Sequence, residues 1–113
     1  MATAKYIDLG FTIADAEYPA LAFGRGELTL TFRDYRGDDI RVVFRDVWWF
    51  EWLDEVPDDD QIPGELWDGT AIVHESDWIP TTAPKSCKHY RLNFNECGAR
   101  LNVACESVET NPA

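Results

Sequence analysis

The segment from Asp58 to Gly69, DDDQIPGELWDG, begins with three adjacent carboxylates, which are the hard oxygen ligands that calcium prefers. An EF-hand loop that started at Asp58 would need glycine at its sixth position and glutamate at its twelfth. Pro63 and Gly69 stand at those positions, and the flanking sequence does not predict helices. We therefore expect no calcium site here, and the carboxylates suit a solvated loop or a surface for a partner.

Four side chains near the C-terminus are of the types that bind zinc. Their spacings match no zinc finger or ribbon. The strand pattern puts Cys105 on the apolar side of a strand, Cys97 in a turn and Cys87 on the opposite parity, so they do not converge. We predict no metal and no cofactor, and a small buried apolar role for Cys105. The four residues are Cys87, His89, Cys97 and Cys105.

Motifs for nucleophilic or metal-assisted catalysis are absent from the sequence. No GxSxG motif occurs, and HESDW differs from the HExxH metalloprotease motif because its fifth residue is Trp78. The histidines are His74 and His89, and with 21 acidic residues, pairs of carboxylates arise without specificity. We predict that the protein is not an enzyme.

The acidic residues are concentrated in the middle of the chain. The net charge is −11, and the 11 acids between Asp46 and Pro84 are accompanied by no lysine or arginine. Nucleic acids and anionic membranes require a basic surface, so we predict neither as a partner. We predict instead a basic partner protein, steered by the acids and anchored by a tryptophan in a loop. The predicted contact residues are Asp54, Glu55, Asp58, Asp59, Asp60 and Trp67.

Two alternatives give the tryptophans or the strands another role. One is a small-molecule pocket in a β-barrel, lined by Trp49, Trp67 or Trp78. The other is a structural module that forms a homodimer through an exposed strand edge. The acidic residues of 54–60 also favour solubility without any partner.

Two alternating segments predict hairpins that would position these side chains. In residues 27–45 a three-residue loop ending at Gly37 pairs Phe32 with Ile40 and Leu28 with Phe44. Continued outward, the same register places Trp48, Phe50 and Trp52 on the core face, opposite Gly24, Ala22 and Ala20. Asp46 would then share the core parity, so we expect a bend near Arg45 and Asp46 that exposes it.

A second hairpin is predicted near the C-terminus. Tyr90, Leu92 and Phe94 alternate, as do Leu101, Val103 and Cys105, with a two- or four-residue loop around Glu96 to Gly98. With a short strand at Thr70 to Glu75 and at most short helical turns, about six or seven strands result. We predict an all-β, mostly antiparallel sandwich or partly open barrel, formed by residues 1–113 as a single domain with loose ends at about 1–4 and 109–113.

The cellular compartment follows from two further features. Three cysteines at irregular spacing do not form a disulfide framework, which fits a reducing compartment. No segment approaches the roughly 20 apolar residues that span a bilayer, and the N-terminus lacks the apolar core of a signal peptide. We expect a cytoplasmic location.

From about residue 25 to 108, the order of LTLTFRD, VWWFEW, an acidic loop, VHESDWI and HYRLNFNECGARLNVACESVE resembles small uncharacterised bacterial β-rich proteins of similar length. The resemblance lies in core and turn positions, and it implies no catalytic residues. Some acidic single-domain bacterial proteins of this size are immunity proteins against toxins. An immunity-type inhibitor is therefore the sharpest form of the partner-binding hypothesis.

Overall fold

Seven strands form one antiparallel sheet in a computed structural model that describes residues 2–57, 60–66 and 68–112. Their order across the sheet is β1-β5-β6-β7-β4-β3-β2, and no helix occurs within the described ranges. The predicted all-β, antiparallel class is confirmed, as one sheet that is not closed into a barrel. The strands are β1 (Thr3–Tyr6), β2 (Ala20–Gly24), β3 (Glu27–Arg33), β4 (Asp39–Leu53), β5 (Thr70–His74), β6 (Lys88–Phe94) and β7 (Ala99–Pro112).

The hairpin predicted for residues 27–45 is confirmed. Phe32 pairs with Ile40 and Leu28 with Phe44, while Gly37 closes the loop with a φ of 85°. That backbone conformation is one that glycine adopts without a steric penalty. The buried carboxylate of Asp34 organises the same loop, because it accepts hydrogen bonds from the backbone N–H groups of residues 36 and 38.

The outward continuation of that register is wrong. Residues 20–24 form the separate strand β2, which folds back on β3, so that Ala22 lies opposite Thr29 and not opposite Phe50. Trp48 is 43% exposed and does not fill the core. Phe50 and Trp52 do pack against the core, although both remain partly exposed. The chain reverses after Gly24 through two residues with positive φ, at Arg25 and Gly26, which the alternating pattern did not reveal.

The expected bend in β4 is present. Asp46 has a φ of 54° and is exposed, which removes its carboxylate from the core. A register shift follows between Val47 and Trp49. The two irregularities put Val47 and Phe50 on the core side three residues apart, a spacing that regular strand alternation forbids. The bend therefore sets which side chains of the second half of β4 reach each face.

The C-terminal hairpin has a four-residue loop, one of the two predicted lengths, with Phe94 opposite Ala99. β7 then continues to Pro112 and pairs with nearly the whole of β4. Strands β1 and β7 thus include Thr3 and Ala4 and residues 109–112, which the sequence had suggested were loose. Met1 and Ala113 lie outside the described residues.

One face of the sheet carries the apolar core. It combines β3, β4, β6 and β7, and residues 7–16 cross over it with Phe11 packed edge-on against Phe32, at 5.6 Å between ring centroids. Thr110 fixes this covering segment by donating a hydrogen bond to the Leu9 carbonyl, at 2.8 Å. In the described part of the chain no helix is long and apolar enough to cross a membrane. The other face of β4, β6 and β7 carries buried polar side chains, among them Arg91, Arg100 and Asn102.

Candidate binding site

Cross-strand rows of polar side chains cover the second face of β4, β7 and β6. Because side chains alternate along each strand, partners in the register share this face. Glu51, Asn102 and Arg91 form one row, and Leu53, Arg100 and Asn93 form the next. Trp49, Ala104 and His89 form a third row. Buried polar side chains are costly unless they are paired, so the buried polar members of these rows need partners on this face. They are His89, Arg91, Asn93, Arg100 and Asn102.

Glu65 supplies most of those partners. Its side chain is 1% exposed, and its carboxylate accepts hydrogen bonds from Arg91, Arg100 and Asn93 at 2.9 to 3.3 Å. Asp60 adds a second carboxylate, 3.0 Å from Arg100. Two acids from residues 60–65 thus neutralise two arginines on neighbouring strands. This part of the acidic region is ion-paired with the sheet and does not serve only as a solvated surface.

His89 is held by hydrogen bonds at both ring nitrogens. Its Nε2 lies 2.9 Å from the Asn102 Oδ1, which also accepts a hydrogen bond from Arg91 Nε. Since that oxygen can only accept, His89 donates from Nε2 and its Nδ1 accepts from the Ser76 hydroxyl, at 2.8 Å. Burial lowers the pKa of His89 to about 4, while the Asn102 contact opposes that change and the Arg91 charge adds to it. The imidazole is therefore neutral near neutral pH.

The Ser76, His89 and Asn102 chain has the order of a nucleophile, a base and an orienting amide. A general base must accept a proton during the reaction, and a pKa near 4 makes His89 a weak one. The neighbouring charge is Arg91, which disfavours an imidazolium further. The Ser76 oxygen also accepts the backbone N–H of Trp78, at 3.2 Å. These contacts favour a role in holding the 75–79 turn over the sheet.

Trp78 lies on the outside of that turn. Its ring stacks on His89 at 5.3 Å between centroids and contacts the Trp49 ring at 4.6 Å. The Trp49 indole N–H donates to the Trp78 carbonyl, which fixes the pair. Trp78 therefore packs against the side of β4 that carries Trp49 and Glu51. Space for it exists because Ala104, between Trp49 and His89 in the row, is small.

An open depression of about 490 Å³ lies beside this pair, lined by Trp49, Phe50, Glu51 and Trp78. Trp78 is 42% exposed, so part of its surface is open to a ligand. Because the sheet is not closed into a barrel, this depression lies on the surface and not in a barrel interior. A smaller cavity of about 190 Å³ also borders Trp78 and is lined in addition by Ser76, His89, Arg91 and Asp60.

The structure separates the predicted partner-binding residues. Asp54 is exposed and accepts hydrogen bonds from Tyr18 and Trp52, which pack with the core side of β4, and these bonds lower its pKa. Glu55 is exposed next to it. Asp60 instead pairs with Arg100 on the polar face. Asp58, Asp59 and Trp67 lie outside the described residues.

Cysteines and acids do not assemble into a metal site in the described ranges, where no group of three or more His, Cys, Asp or Glu side chains is placed to hold an ion. The cysteines are free thiols. Cys105 is fully buried in the core, as predicted, and burial raises its pKa to about 12. Cys87 is also buried, which raises the pKa of its thiol.

Sequence reasoning missed Glu65, Arg91 and Arg100. In HYRLNFN and RLN the polar residues alternate with the core residues, which is the usual pattern of a solvent-facing side. The sequence feature that could have indicated these residues is their charge. Arg91 and Arg100 are basic residues next to a segment rich in acids, and both stand on the same face of a predicted hairpin.

Comparisons with protein-family models, with curated proteins and with solved structures found no match for this chain. The resemblance to small bacterial β-rich proteins therefore stays a prediction, as does the absence of enzymatic activity.

Proposed function

We propose that this protein is a non-enzymatic binding domain that engages a basic partner protein, with Trp49, Trp78 and Glu51 as the anchor. The observation that carries the proposal is the depression where Trp78, which is 42% exposed, and the partly buried Trp49 lie beside the Glu51 carboxylate. An arginine or lysine side chain placed there would meet both a ring face and a negative charge. Cation–π contacts contribute about 0.5 to 2 kcal/mol, depending on how far the cation is desolvated.

Charge supports the same class of partner. Between Asp46 and Pro84 there are 11 acids and no lysine or arginine. Glu65 and Asp60 are neutralised by arginines, but Glu55 and Asp77 are exposed. Such a field accelerates encounter with a basic protein and weakens as salt increases. An immunity-type inhibitor of a basic toxin, acting in the cytoplasm, is the sharpest form of this proposal.

The test uses a purified basic partner, first captured at low salt on the immobilised protein. Association rates are then measured at low and high salt for the wild type, Trp78→Leu and Glu51→Gln. We expect the wild-type rate to fall at least tenfold with salt, and each variant to bind at least tenfold more weakly. Tyr35→Leu, which removes an exposed ring from the β3–β4 loop, and Glu96→Gln are the matched controls. Equal binding at both salt concentrations would overturn the proposal.

A further inference from the structure

The second half of β4 has hydrogen-bonding partners on one side only. Residues 49–53 pair with β7, whereas the pairing of β4 with β3 covers residues 39–44. Val47 still donates its N–H to the Gly26 carbonyl at the hairpin turn. Beyond that contact, no backbone hydrogen bond among the described residues joins the outer side of 49–53 to another segment. None of these five residues is fully buried, unlike residues 99–105 of β7.

The direction of the free backbone groups follows from the register. Asn93 of β6 donates its N–H to the Gly69 carbonyl, on the side away from β7. Asn93 and its partner Arg100 therefore form a pair without hydrogen bonds between them, and the backbone groups of Arg100 point toward β4. Arg100 is opposite Leu53, and antiparallel pairing alternates. Phe50 and Trp52 therefore direct their N–H and C=O groups outward. Val47 agrees with this assignment. Its partner Cys105 is two residues from Val103, the partner of Phe50, and its N–H also points outward, to Gly26.

The surroundings of this edge are acidic and aromatic. Asp46 is exposed at its start, Glu51 lies in its middle, and Asp54 and Glu55 are exposed at its end. The depression beside Trp49 opens along the same residues. An edge with free backbone groups, carboxylates along its length and a pocket for side chains on one face has the parts needed for strand addition.

We propose that an extended basic segment of the partner protein adds to this edge as a further strand, bonded to Phe50 and Trp52. This inference rests on the proposed function and specifies its mode of binding. Alternate side chains of the added strand would enter the depression, where an arginine or lysine meets Trp49 and Glu51. The backbone bonds supply affinity and the depression supplies the preference for a cation.

Charge selects a basic partner over a second copy of this chain. Each copy has a net charge of −11, and a dimer through this edge would bring Asp46, Glu51 and Asp54 of one copy close to the same acids of the other. Like charges placed opposite one another across strands are destabilising. A basic segment gains from the same carboxylates.

The experiment uses a peptide of alternating lysine and valine as the probe and follows amide hydrogen exchange by NMR. We expect the peptide to slow the exchange of the Phe50 and Trp52 amides at least tenfold and to shift the Trp78 indole resonance. The same peptide with an N-methyl group on every amide, which removes all of its N–H donors, should lose this protection. A peptide with glutamate in place of lysine should not bind.

The two proposals fail in different ways. If the lysine peptide shifts the Trp78 indole in a salt-dependent manner without protecting Phe50 and Trp52, strand addition is overturned and the proposed function stands. Absence of any binding overturns both for this site. If the two amides are protected without peptide, and more strongly at higher protein concentration, the occupant is a second copy and the inference is wrong.

Discussion

Glu65 and Arg100 form an ion pair that is withdrawn from solvent on both sides. Their atoms approach to 2.9 Å, and the side chains are 1% and 2% exposed. Burial and the nearby Arg91 lower the pKa of Arg100, while Glu65 and Asp60 oppose that change. The pair also connects residues 60–66 to β7. Residues 60–66, whose sequence is typical of a solvated acidic loop, are therefore held in place by ion pairs between their carboxylates and the arginines of the sheet.

Replacement of Glu65 by glutamine should destabilise the fold by about 3 kcal/mol, because it leaves Arg91 and Arg100 buried with less compensating charge. Urea denaturation of the wild type and the variant measures this difference. Glu55→Gln is the matched control, since Glu55 is exposed in the same acidic region. A loss below about 1 kcal/mol for Glu65→Gln would show that Asp60 alone compensates the arginines.

Stability should decrease between pH 6.5 and pH 4 because of His89. Its pKa is about 4 in the folded protein and 6.5 in its ordinary state, so in this window the unfolded chain binds a proton that the folded protein does not. The contribution is complete above pH 6.5 and is lost as the pH falls through about 4. A shift of this size corresponds to about 3 kcal/mol in total.

Urea denaturation at neutral pH and at about pH 5 measures this dependence. His89→Gln should reduce the loss over this range by about 2 kcal/mol, because glutamine takes no proton. His74→Gln is the control, since His74 is exposed at the end of β5. Carboxylates contribute equally to both proteins, so only the difference between slopes bears on His89. Equal slopes for the wild type and His89→Gln would contradict the buried, neutral imidazole.

Local patterns predicted the hairpins because alternation and turn chemistry act within a few residues. Phe32 opposite Ile40 followed from the position of Gly37, and Phe94 opposite Ala99 is within the predicted loop lengths. The prediction that Trp48 lies in the core was wrong because two irregularities change which face of β4 a residue occupies. They are the positive φ of Asp46 and the bulge between Val47 and Trp49, and the alternation of apolar and polar residues does not reveal either of them. Strict alternation along a strand therefore assigns residues to the wrong face beyond a bulge.

The polar face could not be predicted from alternation, because burial of Arg91 depends on a segment distant in sequence. Glu65 reaches it from 26 residues earlier, across β5. A polar side of a strand is the usual sign of solvent, and only the covering segment converts it into a buried network. Trp78, which the small-molecule hypothesis placed at a pocket, packs on Trp49 of this same face and remains 42% exposed.

The bend in β4 predicts an ordering of substitutions at Asp46. Its φ of 54° suits glycine best and penalises a β-branched residue. Asp46→Gly should leave stability unchanged or slightly higher, while Asp46→Val should lower it by about 1 to 2 kcal/mol. Arg41→Val, at an exposed position in the regular first half of β4, is the control. Thermal unfolding of the three variants ranks them, and equal stability of the glycine and valine variants would contradict the bend.

The close approach of residues 60–66 to β1 gives a further prediction at Gly64. Its φ is 86°, and a Cβ at this position would collide with the backbone carbonyl oxygen of Ala4. That oxygen cannot move freely, because the Ala4 N–H is bonded to the Pro63 carbonyl at 2.8 Å. Gly64→Ala must therefore displace the segment that carries Glu65.

Gly10→Ala separates the two causes, since Gly10 has a similar φ of 89° with nothing within 4 Å of the added methyl group. The control should lose only the conformational contribution, about 1 kcal/mol, while Gly64→Ala should lose at least twice that. Urea denaturation measures both variants. Limited proteolysis should in addition cut Gly64→Ala faster than Gly10→Ala within residues 60–66, because the displaced Glu65 no longer holds the segment to Arg91 and Arg100. Equal losses for the two variants would mean that residues 60–66 do not lie against β1.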